Sequence, residues 1–250
     1  TLHPLIFGGI LFRRGVDDAE GFPRIDLVAV NFYPFWQAAE AGFPENELLE
    51  MIDIGGPSLV RAAAKNYKGV IVLVDPEDYG WVLERLRAGD LTTKERRHLA
   101  IKAFSKTALY DVNIFQELWG RFGEGLPPAA FVGYELGREL RYGENPHQRA
   151  GFYGSEPWDV LWGKPLSYNN ILDASAAWEA LKDLEEFGPS AVIVKHLSPC
   201  GAAVGKSLEE AYEKALASDP LSAFGGIVAL SEPPGPVSYT HLTLPTTERV

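Results

Sequence analysis

Five groups of residues in this chain are of types and spacings that could serve chemistry. Arg141-Tyr142-Gly143-Glu144-Asn145-Pro146-His147-Gln148 gathers a guanidinium, an aromatic face, carboxamides and an imidazole. That assortment suits a planar, phosphorylated ligand, though by composition alone a solvated turn explains it better. Lys195-His196 closes the apolar run Ala191 to Val194, and open α/β sheets bind ligands beyond the carboxyl ends of their strands. The ammonium disfavours an imidazolium beside it, which keeps the histidine neutral and basic. Against this, strand neighbours point to opposite faces, so one of the two could be merely structural. Tyr33, Asp53 and Lys65 offer a phenol, a carboxylate and an amine at three loop or helix-end positions; by spacing alone a surface ion pair accounts for them better. Gly55-Gly56 before Pro57 lets backbone approach a ligand or simply makes a turn. Cys200 is the single cysteine, which excludes an internal disulfide and a deaminase-type zinc site despite the Pro199-Cys200 dipeptide.

Common signatures are missing. The chain has no Walker loop, no G-x-G-x-x-G, no nucleophile elbow and no H-E-x-x-H, so the usual nucleotide, hydrolase and zinc-protease readings lose their support. Its 23 Lys and Arg against 34 Asp and Glu give a net charge of −11. That balance argues against a broad electrostatic grip on nucleic acid or an anionic membrane, so an anionic ligand must be met locally. Apolar runs such as Val70 to Val74 are too short to span a bilayer. With one cysteine, a reducing compartment, the cytoplasm, is the expected location.

Strand-like and helix-like segments alternate, as an α/β fold demands. Ile25 to Asn31 reads as a strand buried on both faces of a parallel sheet, with Tyr33 just past its carboxyl end. Glu45 to Ile52 has helical spacing, Asp53 to Pro57 breaks it, and Pro57 suits the first position of a helix running to about Tyr67. Val70 to Val74 repeats the strand signature, and Pro76-Glu77-Asp78 opens a helix through about Ala88. Thr92 and Glu95 form a capping box before a pattern unbroken to about Arg121, unusually long for a globular helix. Gly123 to Pro128 is the best linker, giving domains of residues 1–126 and 127–236. Beyond it come an extended run to Leu140, the turn Arg141 to Gln148, a helix near Ala174 to Phe187, the strand Ala191 to Val194 and a turn at Ser198 to Gly201. A Ser207/Glu210 capping box then opens a helix ending near Ser218, and Ala223 to Leu230 reads as a buried strand.

Thr1-Leu2-His3-Pro4 runs straight into an apolar segment, so the sequence is expected to start inside a domain. At the other end, residues 237–250 contain VSYTHLTLPTT, which reads as one frame of a transposase-type sequencing adaptor. An edge strand with Val237 and Tyr239 at period two is the alternative. Read as an adaptor, the tail lies outside the fold and His241 is no ligand candidate.

Taken in order, DLVAVNFYPF, MIDIGGPSLVRAAAKNY, VDPEDY, LRYGENPHQ, YNNILDASAAW, VKHLSPCGAAVG and SDPLSAFGGIVAL resemble the bifunctional purine-biosynthesis family. That family joins phosphoribosylaminoimidazolecarboxamide formyltransferase to inosine monophosphate (IMP) cyclohydrolase. The likeness runs from Thr1 to about Pro234. It implies a methylglyoxal-synthase-like α/β domain, truncated at its amino terminus, followed by the start of a cytidine-deaminase-like transformylase region. The opening strands with their phosphate-binding loop, a catalytic lysine just before Thr1 and most of the transformylase region would be missing.

By that resemblance Thr1, Asn31, Tyr33, Asp53, Gly55 and Lys65 match cyclohydrolase positions. Ring closure there needs donors for an oxyanion and proton transfer to a departing hydroxyl, roles that fall to Lys65 and Tyr33, with Asp53 orienting the amide. Arg141 and Tyr142 would hold the aminoimidazole nucleotide, with Asn170 and the Ser222 to Gly225 turn as peripheral contacts. Lys195 and His196 match the catalytic pair for formyl transfer from 10-formyltetrahydrofolate, the histidine as base and the lysine as cation at the formyl oxygen. Many relatives carry Asn where Ser198 stands. The resemblance implies neither a metal nor a bound redox cofactor, small-molecule substrates rather than nucleic acid or membrane, and a homodimeric parent. The 250-residue chain alone is expected to be largely inactive. A catalytically dead purine-nucleotide-binding module is the alternative, and a stand-alone cyclohydrolase is disfavoured by the stretch from Arg141 to Gly201.

Overall fold

The computed structural model describes residues 2–17 and 20–235. Thr1 and the tail from residue 236 onward, with its adaptor-like string, lie outside the described residues. The chain divides into two compact units, the first ending at Tyr134 and the second beginning at Glu135. Residues beyond the Gly123 to Pro128 linker return to the first unit. Phe131 meets Phe115 edge-on at 5.2 Å and its carbonyl accepts from Gln116 Nε2 at 3.2 Å.

The first unit runs α1 (Pro4–Leu11), β1 (Leu27–Ala29), α2 (Phe35–Glu40), α3 (Glu45–Glu50), α4 (Gly55–Lys65), β2 (Ile71–Leu73), α5 (Asp78–Ala88) and α6 (Thr93–Phe122). β1 and β2 pair in parallel, Val28 opposite Val72, which requires the helical crossover between them. β2 is buried at every residue, whereas β1 buries only Val28; the expectation of a strand covered on both faces holds for the first and fails for the second. α4 opens at Gly55, so Pro57 sits inside the first turn instead of starting it. The capping box of Thr92 and Glu95 forms as read: Thr92 Oγ1 accepts from Glu95 N, and Glu95 Oε2 accepts from Thr92 N at 2.7 Å. The helix it opens is the long scaffold of the unit. Leu99, Ala100 and Ala103 pack with Val60, Ala63, Val72 and Val82 in the main core. Farther along, Tyr110 and Ile114 back a second cluster of Phe35, Ala38, Ala39 and Leu48. α1, unread in the sequence, is capped by His3 Nδ1, which accepts from Leu5 N.

The second unit runs β3 (Leu136–Glu139), β4 (Gly151–Tyr153), α7 (Tyr168–Glu185), β5 (Ser190–Lys195), β6 (Ser198–Val204), α8 (Leu208–Ser218), α9 (Pro220–Ala223) and β7 (Ile227–Leu230). β3 and β4 form an antiparallel pair, and β5 lies between β6 and β7 in a three-stranded antiparallel sheet. The apolar run Ala191 to Val194 thus belongs to an antiparallel sheet, central between two neighbours. Lys195 pairs with Ser198, leaving a two-residue connection that can only return the chain antiparallel. Residues read as a turn, Ser198 to Gly201, belong to β6; Cys200 is the extra residue of a bulge between the Ile193–Gly201 and Val194–Pro199 pairs. β5 shows why its whole run is apolar. Ala191 and Ile193 pack against Ala211, Tyr212 and Ala215 of α8, while Val192 and Val194 pack against Ala177 and Leu181 of α7. At the start of α8, Ser207 Oγ accepts from Glu210 N, but the Glu210 carboxylate reaches Lys206 N instead of closing the box.

Candidate functional site

In the first unit, a site forms where β1 runs out and α4 begins. Asp53 Oδ1 accepts from Gly56 N at 2.8 Å, so the carboxylate folds onto the first turn of α4 and satisfies one of its free N–H groups. This closeness explains the paired glycines. A Cβ on Gly56 would lie 2.3 Å from Asp53 Oδ2 and 3.0 Å from Val30 Cγ1, so any larger residue collides with the carboxylate and with the end of the β1 strand. The sequence reading took Gly55-Gly56 as room for a ligand or a turn; the group that approaches Gly56 is the chain's own aspartate.

Tyr110 organises the same site, and nothing in the sequence marked it. Its hydroxyl accepts from Asp53 N at 2.8 Å and donates to Met51 O at 3.0 Å. Its ring meets Phe32 at 5.1 Å and Phe35 at 6.4 Å. Burial, aided by the charges of Asp53 and Asp111, raises the phenol above its ordinary value, although the Asp53 N–H works the other way. One side chain of α6 thus ties the loop after β1 to the loop before α4. Phe32 turns inward against that ring, and its neighbours Asn31 and Tyr33 are exposed, Tyr33 by 55%. Tyr33, Asn31, Asp53 and Gly55 are gathered at this end. Lys65 is not: it ends α4, about 15 Å along the axis from Gly55 at 1.5 Å per residue, beside Arg61, Tyr67 and Arg97 on a shallow groove of about 660 Å³.

In the second unit, the Arg141 to Gln148 turn is built around internal bonds. Gly143 N donates to Gln148 O, and Asn145 N to Gln148 Oε1, both at 2.8 Å. The turn is tied to the start of α7: Tyr168 N donates to Tyr142 O, and Asn169 Nδ2 to Glu144 O. Arg141 lies over the Tyr142 ring at 4.8 Å and donates to its hydroxyl at 3.1 Å. The bond with Ser167, and then that with Arg141, hold the Tyr142 phenol below its usual value. Asn170 has a structural duty: its Oδ1 accepts from Ser167 N and Oγ, and Ser167 Oγ accepts from Asn170 N, a complete capping box. The helix therefore opens at Tyr168, six residues before the start near Ala174 that the sequence suggests, and its box is closed by Asn in place of the usual Glu or Gln.

Lys195, His196, Asp219 and Ser222 line one cavity of about 440 Å³, with Ser198, Pro199 and Cys200. Lys195 Nζ donates to Phe224 O at 2.8 Å, and Ser222 N donates to Asp219 Oδ1 at 3.0 Å, capping α9. Gly225, at φ 76°, turns the chain from α9 into β7, a conformation for which glycine carries no penalty. The question of opposite strand faces is resolved by the turn. Lys195 ends β5, while His196 lies in the two-residue connection to β6, so strand alternation does not separate the two. Both groups hang on the opening turns of α7. Ser167 reaches Tyr142, and Asp173, about 9 Å farther along the helix axis, accepts from Leu197 N at 2.8 Å.

Comparison with known proteins identifies the family. The family model for the AICARFT/IMPCHase bienzyme matches residues 63–236. The bifunctional purine biosynthesis protein PurH of Aquifex aeolicus (strain VF5) is 46% identical over 254 residues, covering 93% of this chain and 48% of that protein. PurH of Myxococcus xanthus (strain DK1622) is 48% identical over 247 residues, covering 92% of this chain and 48% of its own length. A crystal structure of ForH aligns with 42% identity and a TM-score of 0.40, over 48% of this chain and 66% of that one. The chain spans about half the length of the curated relatives it matches. With the family model covering well over half of its residues, the chain belongs to the AICARFT/IMPCHase bienzyme family.

Proposed function

We propose that this chain is part of a cytoplasmic, homodimeric enzyme that performs two consecutive steps on a purine precursor. A formyl group passes from 10-formyltetrahydrofolate to the aminoimidazole carboxamide ribonucleotide (AICAR), and the formylated product then closes, with loss of water, to IMP. On this reading the first unit is the cyclohydrolase, with a methylglyoxal-synthase-like fold, and the second begins a cytidine-deaminase-like transformylase.

The observation that carries the reading is the cavity shared by Lys195 and His196. The substrate's ring amine is weakened by conjugation, so its attack on the formyl carbon needs a base at nitrogen and positive charge at the formyl oxygen. His196 takes the proton as the C–N bond forms, and Lys195, held by the Phe224 carbonyl, stabilises the oxyanion. Collapse of that intermediate expels the folate nitrogen, which needs a proton in turn. Arg141 and Tyr142 hold the nucleotide, with Asn170, Ser222 and Gly225 at its periphery.

For ring closure the carboxamide nitrogen attacks the formyl carbon. Tyr33 supplies a proton donor and Asp53 orients the amide, with Asn31, Gly55 and Thr1 as binding positions. Asp53 spends one oxygen on Gly56 N and keeps Oδ2 for substrate. Lys65 stands at the far end of α4, so its proton-transfer role rests on the sequence match, and the cyclohydrolase reading rests on Tyr33 and Asp53.

The test supplies the purified complete protein with AICAR and 10-formyltetrahydrofolate and follows IMP. Steady formation of IMP supports the enzyme; tight binding of the nucleotide without turnover overturns it in favour of a binding module.

A further inference from the structure

His196 and Leu197 both adopt left-handed backbone, at φ 53° and 64°. They are the two central residues of a hairpin turn whose geometry asks for positive φ at both positions, a demand usually met by Asn-Gly or Asp-Gly. Histidine tolerates that region better than most residues, but leucine does not suit it. An L residue disfavours this region by roughly tenfold in population, and the cost is greater for a bulky side chain than for the Asn or Gly that normally stands there. No other non-glycine residue among those described has positive φ. The strain therefore falls on one turn, and that turn carries the imidazole.

Something must hold the turn closed. One restraint is the strand pairing below it, Lys195 with Ser198. The other comes from a different element: Asp173, one face-step along α7 from Asn170, accepts from Leu197 N at 2.8 Å. A carboxylate accepting a backbone N–H makes one of the stronger classes of hydrogen bond. It acts on the peptide joining His196 to Leu197, whose orientation sets φ of Leu197 and ψ of His196. α7 is itself anchored on β5 through Ala177 and Leu181 packed on Val192 and Val194, so the carboxylate is a fixed post.

We propose that Asp173 is a positioning residue for formyl transfer, holding the strained His196-Leu197 turn so that the imidazole faces the cavity beside Lys195. Asp173 touches no reacting atom in this account. The inference rests on the reading of His196 as the transfer base.

In the complete protein, Asp173→Ala is expected to lower kcat for formyl transfer by about ten- to a hundredfold, the span of a lost charge-assisted bond. KM for AICAR should stay within about threefold. Hydrogen exchange at the Leu197 amide, protected in the wild type, should quicken by a similar factor. Asp173→Asn keeps an acceptor oxygen and should restore most of the rate. The decisive variant is Asp173→Ala with Leu197→Gly, because glycine enters the left-handed region without penalty; it should recover much of the lost kcat, which it could not do if Asp173 acted as a proton carrier or as core packing. If Asp173→Ala does not fold, the Gly-containing double variant must. The proposal is overturned if the Leu197 amide exchanges freely in the wild type, if Asp173→Ala turns over normally, or if neither asparagine nor the added glycine rescues. Absence of formyl transfer in the wild type would overturn the functional reading instead, while Leu197 exchange would still report whether Asp173 holds the turn.

Discussion

Gly56→Ala separates the stability of the first unit from its chemistry. The added methyl would lie 2.3 Å from Asp53 Oδ2, and ordinary contact begins near 3.4 Å, so the carboxylate must retreat by 3.4 − 2.3, about 1.1 Å. Asp53 Oδ2 ends a flexible side chain and can move; the Val30 contact, at 3.0 Å, needs a shift of a few tenths. Moving the carboxylate weakens its bond from Gly56 N, at about 1 kcal/mol for a half-exposed group. In return, alanine within the helix gains about 0.8–1 kcal/mol over glycine. The two nearly cancel, so thermal unfolding should show a Tm within a few degrees of wild type. Catalysis has no such offset, because a displacement near 1 Å at a positioning group costs on the order of a hundredfold. The assay is conversion of the formylated nucleotide to IMP by the complete protein, beside a melting curve. A variant that melts normally and closes the ring at the wild-type rate would show that the Asp53 carboxylate does not meet the substrate, and the cyclohydrolase assignment would fall with it.

Other outcomes follow from single contacts. Tyr110→Phe strips the partners from Asp53 N and Met51 O and should destabilise the first unit by about 1–3 kcal/mol in chemical denaturation; no change would mean that water replaces the hydroxyl at no cost. Gly201→Ala would put a Cβ 1.8 Å from the Ala215 carbonyl, backbone against backbone between β6 and α8, and should cost about 3 kcal/mol or more; a melting curve like wild type would refute that close approach. Lys102 donates to both Asp75 and Asp78 at 2.7 Å, and its Nζ together with Glu77 N–H holds the Asp75 carboxyl below its ordinary value. A carboxyl depressed in the folded state contributes stability that is complete above its unfolded value near 3.8 and is lost as pH falls through the folded value. Lys102→Met should therefore lower stability at pH 7 by about 1–3 kcal/mol and flatten its decline below pH 4; an unchanged acid limb in urea titrations at stepped pH would contradict this.

Much of the framework was legible because it is written in short-range chemistry. Thr92 and Glu95 announce α6, the apolar run Ala191 to Val194 announces a strand, and the Arg141 to Gln148 turn declares itself by Gly, Asn and Pro. What was hidden depends on residues far apart in the chain. Tyr110 is one aromatic in a thirty-residue helix, and only the fold reveals that its hydroxyl reaches the loop before Asp53. The hairpin from β5 into β6 goes unread, with Ser198 to Gly201 read as a turn, because His196-Leu197 carries no Asn-Gly or Asp-Gly to mark a two-residue connection. That same absence makes the turn informative, since a local rule broken at the proposed base of formyl transfer marks where geometry outweighs propensity. Lys65 shows the opposite lesson: a match in sequence places it on the right helix and at the wrong end to meet Asp53.

The central claim is that two separate reaction centres share this chain, one around Asp53 and one around His196. Its most direct test is a pair of single substitutions, His196→Ala and Asp53→Asn, in the complete protein, each assayed for formyl transfer to AICAR and for ring closure of the formylated product. The account predicts that His196→Ala abolishes transfer and leaves closure intact, and that Asp53→Asn does the reverse. Loss of both activities in either variant, or formyl transfer undiminished without the imidazole, would contradict it.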